Sequence, residues 1–228
     1  MLTFGGAYSN HIRATAAVGH YGGFTTIGVI RGEEHLPLNP SLEYAVRRGM
    51  HLTYLDRTTY RAKTSDAVID DLRREFGDFY LLPEGGTNKA AVLGCAELPS
   101  ELTDPFDVLF CSVGTGGTLA GVAAGLNPHQ SAVGIPVLKG AAYLEQEIVD
   151  LQTSAFGARS GTWRLECDFH FGGYAKRTAE LDAFIDDFEA RHGLLLDWVY
   201  EAKMMYALFD LVRRGNFTPG TTIVGLIS

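Results

Sequence analysis

No apolar run in this 228-residue chain approaches the ~20 residues that a membrane-spanning helix requires, and the amino terminus carries no basic-then-apolar export signal. A membrane partner is therefore not expected, and the expected location is the cytoplasm. Cysteine is scarce. Cys95, Cys111 and Cys167 are odd in number, far apart and without metal-ligand spacing, which excludes a disulfide framework and a cysteine zinc site. They read as buried thiols of a reducing compartment. Basic residues are outnumbered, 19 against 27 acidic for a net charge of −8, and they are scattered in pairs such as Arg47-Arg48, Arg73-Arg74 and Arg213-Arg214. No basic stripe is present, so nucleic acid is not an expected partner. Lysine is rarer still, limited to Lys63, Lys89, Lys139, Lys176 and Lys203.

What remains is an ordinary globular composition, 46% hydrophobic and 20% charged, in a chain long enough for one large domain or two small ones. Helical and strand-like patterns alternate along it. Helical spacing is expected over 9–19, 42–50, 66–76, 88–97, 119–126, 142–151, 179–192 and 198–214. Strand-like runs are expected at the amino terminus and over 24–31, 51–55, 79–82, 106–111, 133–138 and 222–227. A less regular stretch covers 153–176. Such alternation implies an α/β protein with two open, mostly parallel sheets covered by helices, and with sites at the carboxyl ends of strands.

The clearest chemical signal is Ser112-Val113-Gly114-Thr115-Gly116-Gly117-Thr118, set between an apolar strand and an alanine-rich helix. Glycines there let backbone N–H groups turn toward an anion, and the helix adds its positive end. A phosphate cradle and a ligand-free tight turn are both compatible with this loop. A dinucleotide loop is disfavoured, because the next strand ends in Leu138-Lys139 where a ribose-binding carboxylate is wanted. Two further loops follow strands, Phe4 to His11 and Pro83 to Asn88. Taken singly, Ser9, Asn10, Thr87 and Asn88 read first as helix caps.

Five ordered motifs carry a family resemblance: Gly-Gly-Ala-Tyr-Ser-Asn-His at 5–11, Pro-Glu-Gly-Gly-Thr-Asn at 83–88, Gly-Thr-Gly-Gly-Thr at 114–118, Phe-His-Phe-Gly-Gly-Tyr at 169–174 and Leu-Asp-Trp-Val-Tyr-Glu-Ala-Lys at 196–203. In this order they resemble the pyridoxal-phosphate (PLP) enzymes of the 1-aminocyclopropane-1-carboxylate deaminase and D-cysteine desulfhydrase family. The resemblance covers essentially the whole chain and implies the tryptophan-synthase-β-like fold of fold type II. It implies a smaller αβ domain over 9–88, and a larger, incomplete PLP-binding domain made of 1–8 and 89–228, with PLP between them.

By the same resemblance, Gly114, Thr115, Gly116, Gly117 and Thr118 bind the cofactor phosphate and Asn10 bonds its ring oxygen. Ser9 contacts the substrate carboxylate or acts in proton transfer or nucleophilic attack. Tyr174 and Tyr200 match the two active-site tyrosines, and Glu201, with Ser9 and Asn10, falls to the substrate. Trp198 replaces the proline usual in that motif, which marks a divergent branch. The family's Schiff-base lysine stands upstream of the Ser-Asn loop, and none of the five lysines here occupies a matching motif. The implied reaction takes a small amino acid to a 2-oxo acid and ammonia. The 228 residues alone are expected to be inactive, as a fragment or as a noncatalytic relative that binds PLP or an amino acid. A homodimer is compatible with the family.

Overall fold

A computed structural model describes residues 1–227 as two compact units that divide between Thr87 and Asn88. In the first unit β1 (Leu2–Gly5), β2 (Ile27–Arg31), β3 (His51–Leu55) and β4 (Leu81–Leu82) form one sheet in the order β3-β2-β1-β4. Every pairing is parallel. The helices α1 (Asn10–Gly22), α2 (Pro40–Arg47), α3 (Arg57–Arg61) and α4 (Asp66–Phe76) make the connections. β1 lies between β2 and β4 and is buried along its length, so residues 1–8 belong with this unit. The contacts set 1–8 with 9–87, where the sequence pattern had grouped them with the larger domain. The reason is that Leu2 and Phe4 pack on one side with Val29, Tyr60, Ile69 and Leu72.

The second unit repeats the winding. β5 (Val108–Val113), β6 (Ser131–Pro136), β7 (Trp163–Leu165) and β8 (Ile223–Leu226) form a parallel sheet in the order β7-β6-β5-β8. Its helices are α5 (Lys89–Cys95), α6 (Leu98–Glu101), α7 (Gly117–Gly125), α8 (Leu144–Phe156), α9 (Ala179–His192) and α10 (Glu201–Arg213). β5 and β6 are nearly continuous apolar runs because both faces of a helix-covered parallel sheet are buried. In both units the chain starts at an inner strand, winds outward to one edge, and then returns to the other side of that strand. The first loop of each unit thus stands at a topological switch point, outside the carboxyl end of β1 or β5, where α/β sheets bind ligands.

Most expected elements are present. The differences lie in short pieces: α3, α6 and the three-residue β7 carry too few residues for a period to register, and β7 falls inside the stretch read as irregular. Of the three cysteines only Cys111 is buried, since it points inward from β5, while Cys95 and Cys167 are partly exposed.

Candidate functional site

α7 is built to bring its amino terminus close to the sheet. Its sequence, Gly-Thr-Leu-Ala-Gly-Val-Ala-Ala-Gly, buries nearly all round, and α5 and α8 lie against it. A Cβ on Gly121 would stand 2.3 Å from the Val92 carbonyl oxygen and 2.5 Å from Cys95 Cβ, so only glycine permits this approach of α5. Gln152, wholly buried on α8, fixes the helix from the other side. Its amide donates to the carbonyls of Ala120 (2.9 Å) and Ser160 (2.8 Å), and its oxygen accepts from the Ser160 N–H and the Trp163 indole.

At the head of α7 the capping residue is Gly116, with φ of 88°, and a Cβ there would meet Ile148 Cγ1 at 2.7 Å. Gly116 has no side chain with which to cap this terminus, and no acidic residue occupies its first turn. The first N–H groups of a helix have no partner within it. The head of α7 therefore presents uncharged donors and the positive end of the helix dipole, a donor set suited to a phosphate group. Cys95 shares a side-chain hydrogen bond with Thr118, and burial pushes its thiol pKa up. Burial pushes Cys111 up to about 12, so that thiol is inert.

Of the two expected tyrosines, Tyr200 comes to this loop and Tyr174 comes to Tyr200. A Cβ placed on Gly114 would lie 3.4 Å from Tyr200 Cε1, so the ring of Tyr200 packs directly on the glycine loop. Tyr174 meets Tyr200 edge to face, with ring centroids 6.0 Å apart at 73°. Tyr200 precedes α10 in a tight cap. The Asp197 carboxylate accepts from the N–H groups of Val199 (3.1 Å), Tyr200 (2.8 Å) and Glu201, and the Glu201 carboxylate accepts in return from the Asp197 N–H at 2.9 Å. Glu201 is buried and holds the turn that presents Tyr200.

Ser9 and Asn10 stand in the first unit, at the head of α1. Ser9 is buried and caps the helix, its oxygen accepting from the Ile12 N–H at 3.3 Å; Asn10 is the first helical residue. Asn88 likewise caps α5, through the Ala91 N–H at 2.9 Å. Beside Asn10 is His11, to which the sequence reading gave no role. The Thr3 hydroxyl donates to the Leu82 carbonyl (3.2 Å) and lies 2.7 Å from His11 Nε2. Burial lowers the His11 pKa to about 4, against a weaker upward pull from the Glu84 carboxylate. Glu84 accepts from the Tyr60 hydroxyl at 2.9 Å and pairs with Lys63 at 3.1 Å.

Among the lysines, Lys89, Lys139 and Lys176 are exposed, and Lys63 is paired with Glu84. Lys203 is wholly buried and donates to the carbonyls of His170 (2.9 Å) and Gly173 (2.8 Å). Burial lowers its pKa to about 8, while the Asp197 carboxylate pulls the other way. A sequence signal for it exists: Lys203, Ala207 and Leu211 share a helix face at i, i+4 and i+8, and the two apolar members are buried.

Two parallel α/β units, each with a motif loop at its switch point and one with a helix head suited to a phosphate group, define the class as a doubly wound α/β fold. The family described as "Pyridoxal-phosphate dependent enzyme" matches residues 3–228, and the chain belongs to that family, whose cofactor is PLP. A protein of Pyrococcus horikoshii named "Putative 1-aminocyclopropane-1-carboxylate deaminase" is 30% identical over 95% of this chain and 70% of its own length. The D-cysteine desulfhydrase of Klebsiella pneumoniae is 28% identical over 95% of this chain and 72% of its own. A crystal structure described as an ACC deaminase homologue matches with a TM-score of 0.82 at 28% identity, covering 98% of this chain and 71% of that one. The fold is the tryptophan-synthase-β-like fold of fold type II.

Proposed function

We propose that this protein is a PLP-dependent deaminase or lyase that converts a small amino acid, of the 1-aminocyclopropane-1-carboxylate or D-cysteine type, to a 2-oxo acid and ammonia. The observation that carries the reading is the uncapped head of α7 with the ring of Tyr200 packed on its glycine loop and Tyr174 against Tyr200. When bound, PLP withdraws electron density from the α-carbon of an amino acid. Gly114 to Thr118 would hold its phosphate through backbone and hydroxyl donors, and by the family resemblance Asn10 would bond its ring oxygen. Ser9 would contact the substrate carboxylate or act in proton transfer or nucleophilic attack. The phenols of Tyr174 and Tyr200 hold or move a proton at their hydroxyl oxygens, each needing a hydrogen-bonding or cationic neighbour to act below the unperturbed pKa of ~10. Glu201 contributes to substrate choice through the turn it fixes beneath Tyr200.

A second reading, a binder of PLP or an amino acid without turnover, is favoured by the engagement of Lys203 on two carbonyls and of Lys63 on Glu84. PLP titration of the 228-residue chain, followed by borohydride and by 2-oxo acid assay with both candidate substrates, separates the two. Turnover with a borohydride-sensitive visible band supports the enzyme. Saturable PLP binding without band or product supports the binder, and absence of PLP binding overturns both.

A further inference from the structure

α10 carries Tyr200 at its head, then Lys203 and Tyr206, at i, i+3 and i+6, and the 169–175 segment lies along these residues. Phe169 meets the Tyr206 ring at a tilt and Phe171 meets it edge to face, at centroid separations of 6.3 and 4.9 Å. The Lys203 ammonium takes the carbonyls of His170 and Gly173. Tyr174 then reaches Tyr200. The segment between these contacts is strained: Phe171 and Ala175 have φ of 51° and 50°, in the left-handed region that non-glycine residues rarely adopt, and Gly172 and Gly173 have φ of 95° and 120°. Its own bonds are short-range, from the Gly172 N–H to His170 Nδ1 (2.9 Å) and from the Gly173 N–H to the His170 carbonyl (3.0 Å). A methionine would fill the volume of Lys203 without desolvating an ammonium, so the charge has to be offset by what it holds.

We propose that Lys203 is a positioning residue for Tyr174: by bracketing the 170–173 turn from α10, it holds a strained segment in the one form that sets Tyr174 against Tyr200. The role of Tyr174 in turnover rests on the function proposed above; the clamp does not.

The test is K203M, close to lysine in volume and without donors, in the full chain. Thermal melting establishes that it is folded. Hydrogen exchange of the 170–175 amides should then accelerate on the order of tenfold or more while the rest of α10 keeps its protection. The Tyr174 ring signals, assigned by their loss in Y174F, should lose the ring-current shift imposed by Tyr200. Inorganic phosphate titrated against the amides at the head of α7 should bind as in the parent. Where turnover is present, kcat should fall on the order of tenfold or more with KM within about twofold; K203Q, which keeps a donor, should recover part of the exchange protection. A folded K203M whose 170–175 exchange and Tyr174 signals match the parent overturns the clamp, whatever the activity. Should K203M fail to fold, the same readings are taken on K203Q, and failure of both to fold overturns the proposal by making Lys203 a support of the whole unit.

Discussion

The two units wind their sheets in the same order yet begin the helix after their first strand in opposite ways. At the head of α1, Ser9 turns its own side chain onto the Ile12 N–H. At the head of α7 the equivalent place is Gly116, which has no side chain to offer. Winding alone puts a loop at the switch point of each sheet. The capping residue decides whether the chain satisfies the helix end itself or leaves it to an anion. The serine unit thus presents a closed helix head with side-chain chemistry, and the glycine unit an open one with backbone chemistry.

The open helix head depends on close packing behind it, and breaking that packing should have the largest effect. Gly121→Val would drive a side chain into the Val92 carbonyl and Cys95, contacts that α5 cannot yield without moving. A loss of about 3 kcal/mol or more is expected in urea unfolding, because overpacking against backbone cannot be relieved by a rotamer change. The first unit has its own sensitive point in His11. Its folded pKa of about 4 lies below the ordinary imidazole value of 6.5, so the unfolded chain binds the extra proton between these pH values and stability rises with pH across that window. The contribution is fully present above pH 6.5 and is lost as pH falls toward 4, on the order of 3 kcal/mol in all. Urea midpoints of the parent and of H11Q across this range should diverge with that sign; a parallel profile for the two would remove His11 from the explanation.

Much of this was legible in the sequence because it is local. The strand-glycine-helix run at 108–125 is contiguous, and so are the Ser9 and Asn88 caps, each read from a polar residue just ahead of an apolar period. The grouping of 1–8 was not legible, since β1 is placed by pairing with β2 and β4 across long intervals of chain. Lys203 was passed over for a related reason. Its partners lie 33 and 30 residues away, and a lysine inside a helical period reads as a solvated position until its carbonyl partners are seen. The pairing of Tyr174 with Tyr200 came from the family motifs, and periodicity alone would have assigned both rings to packing.

A smaller effect sharpens the contrast between the helix heads. Ser9→Ala removes the side-chain cap of α1 and should cost about 1 kcal/mol of stability, measured by the shift in urea midpoint.

The contrast itself is tested most directly by titrating inorganic phosphate, and then PLP, into isotope-labelled protein while following backbone amide signals. Saturable shifts are expected at the amides of 114–119, at the head of α7, with phosphate alone. The amides of 10–13, at the head of α1, should remain unmoved by phosphate because Ser9 already occupies that end. Saturable phosphate shifts at α1 with none at α7, or no shift at either, would contradict the assignment of the open helix head as the phosphate cradle.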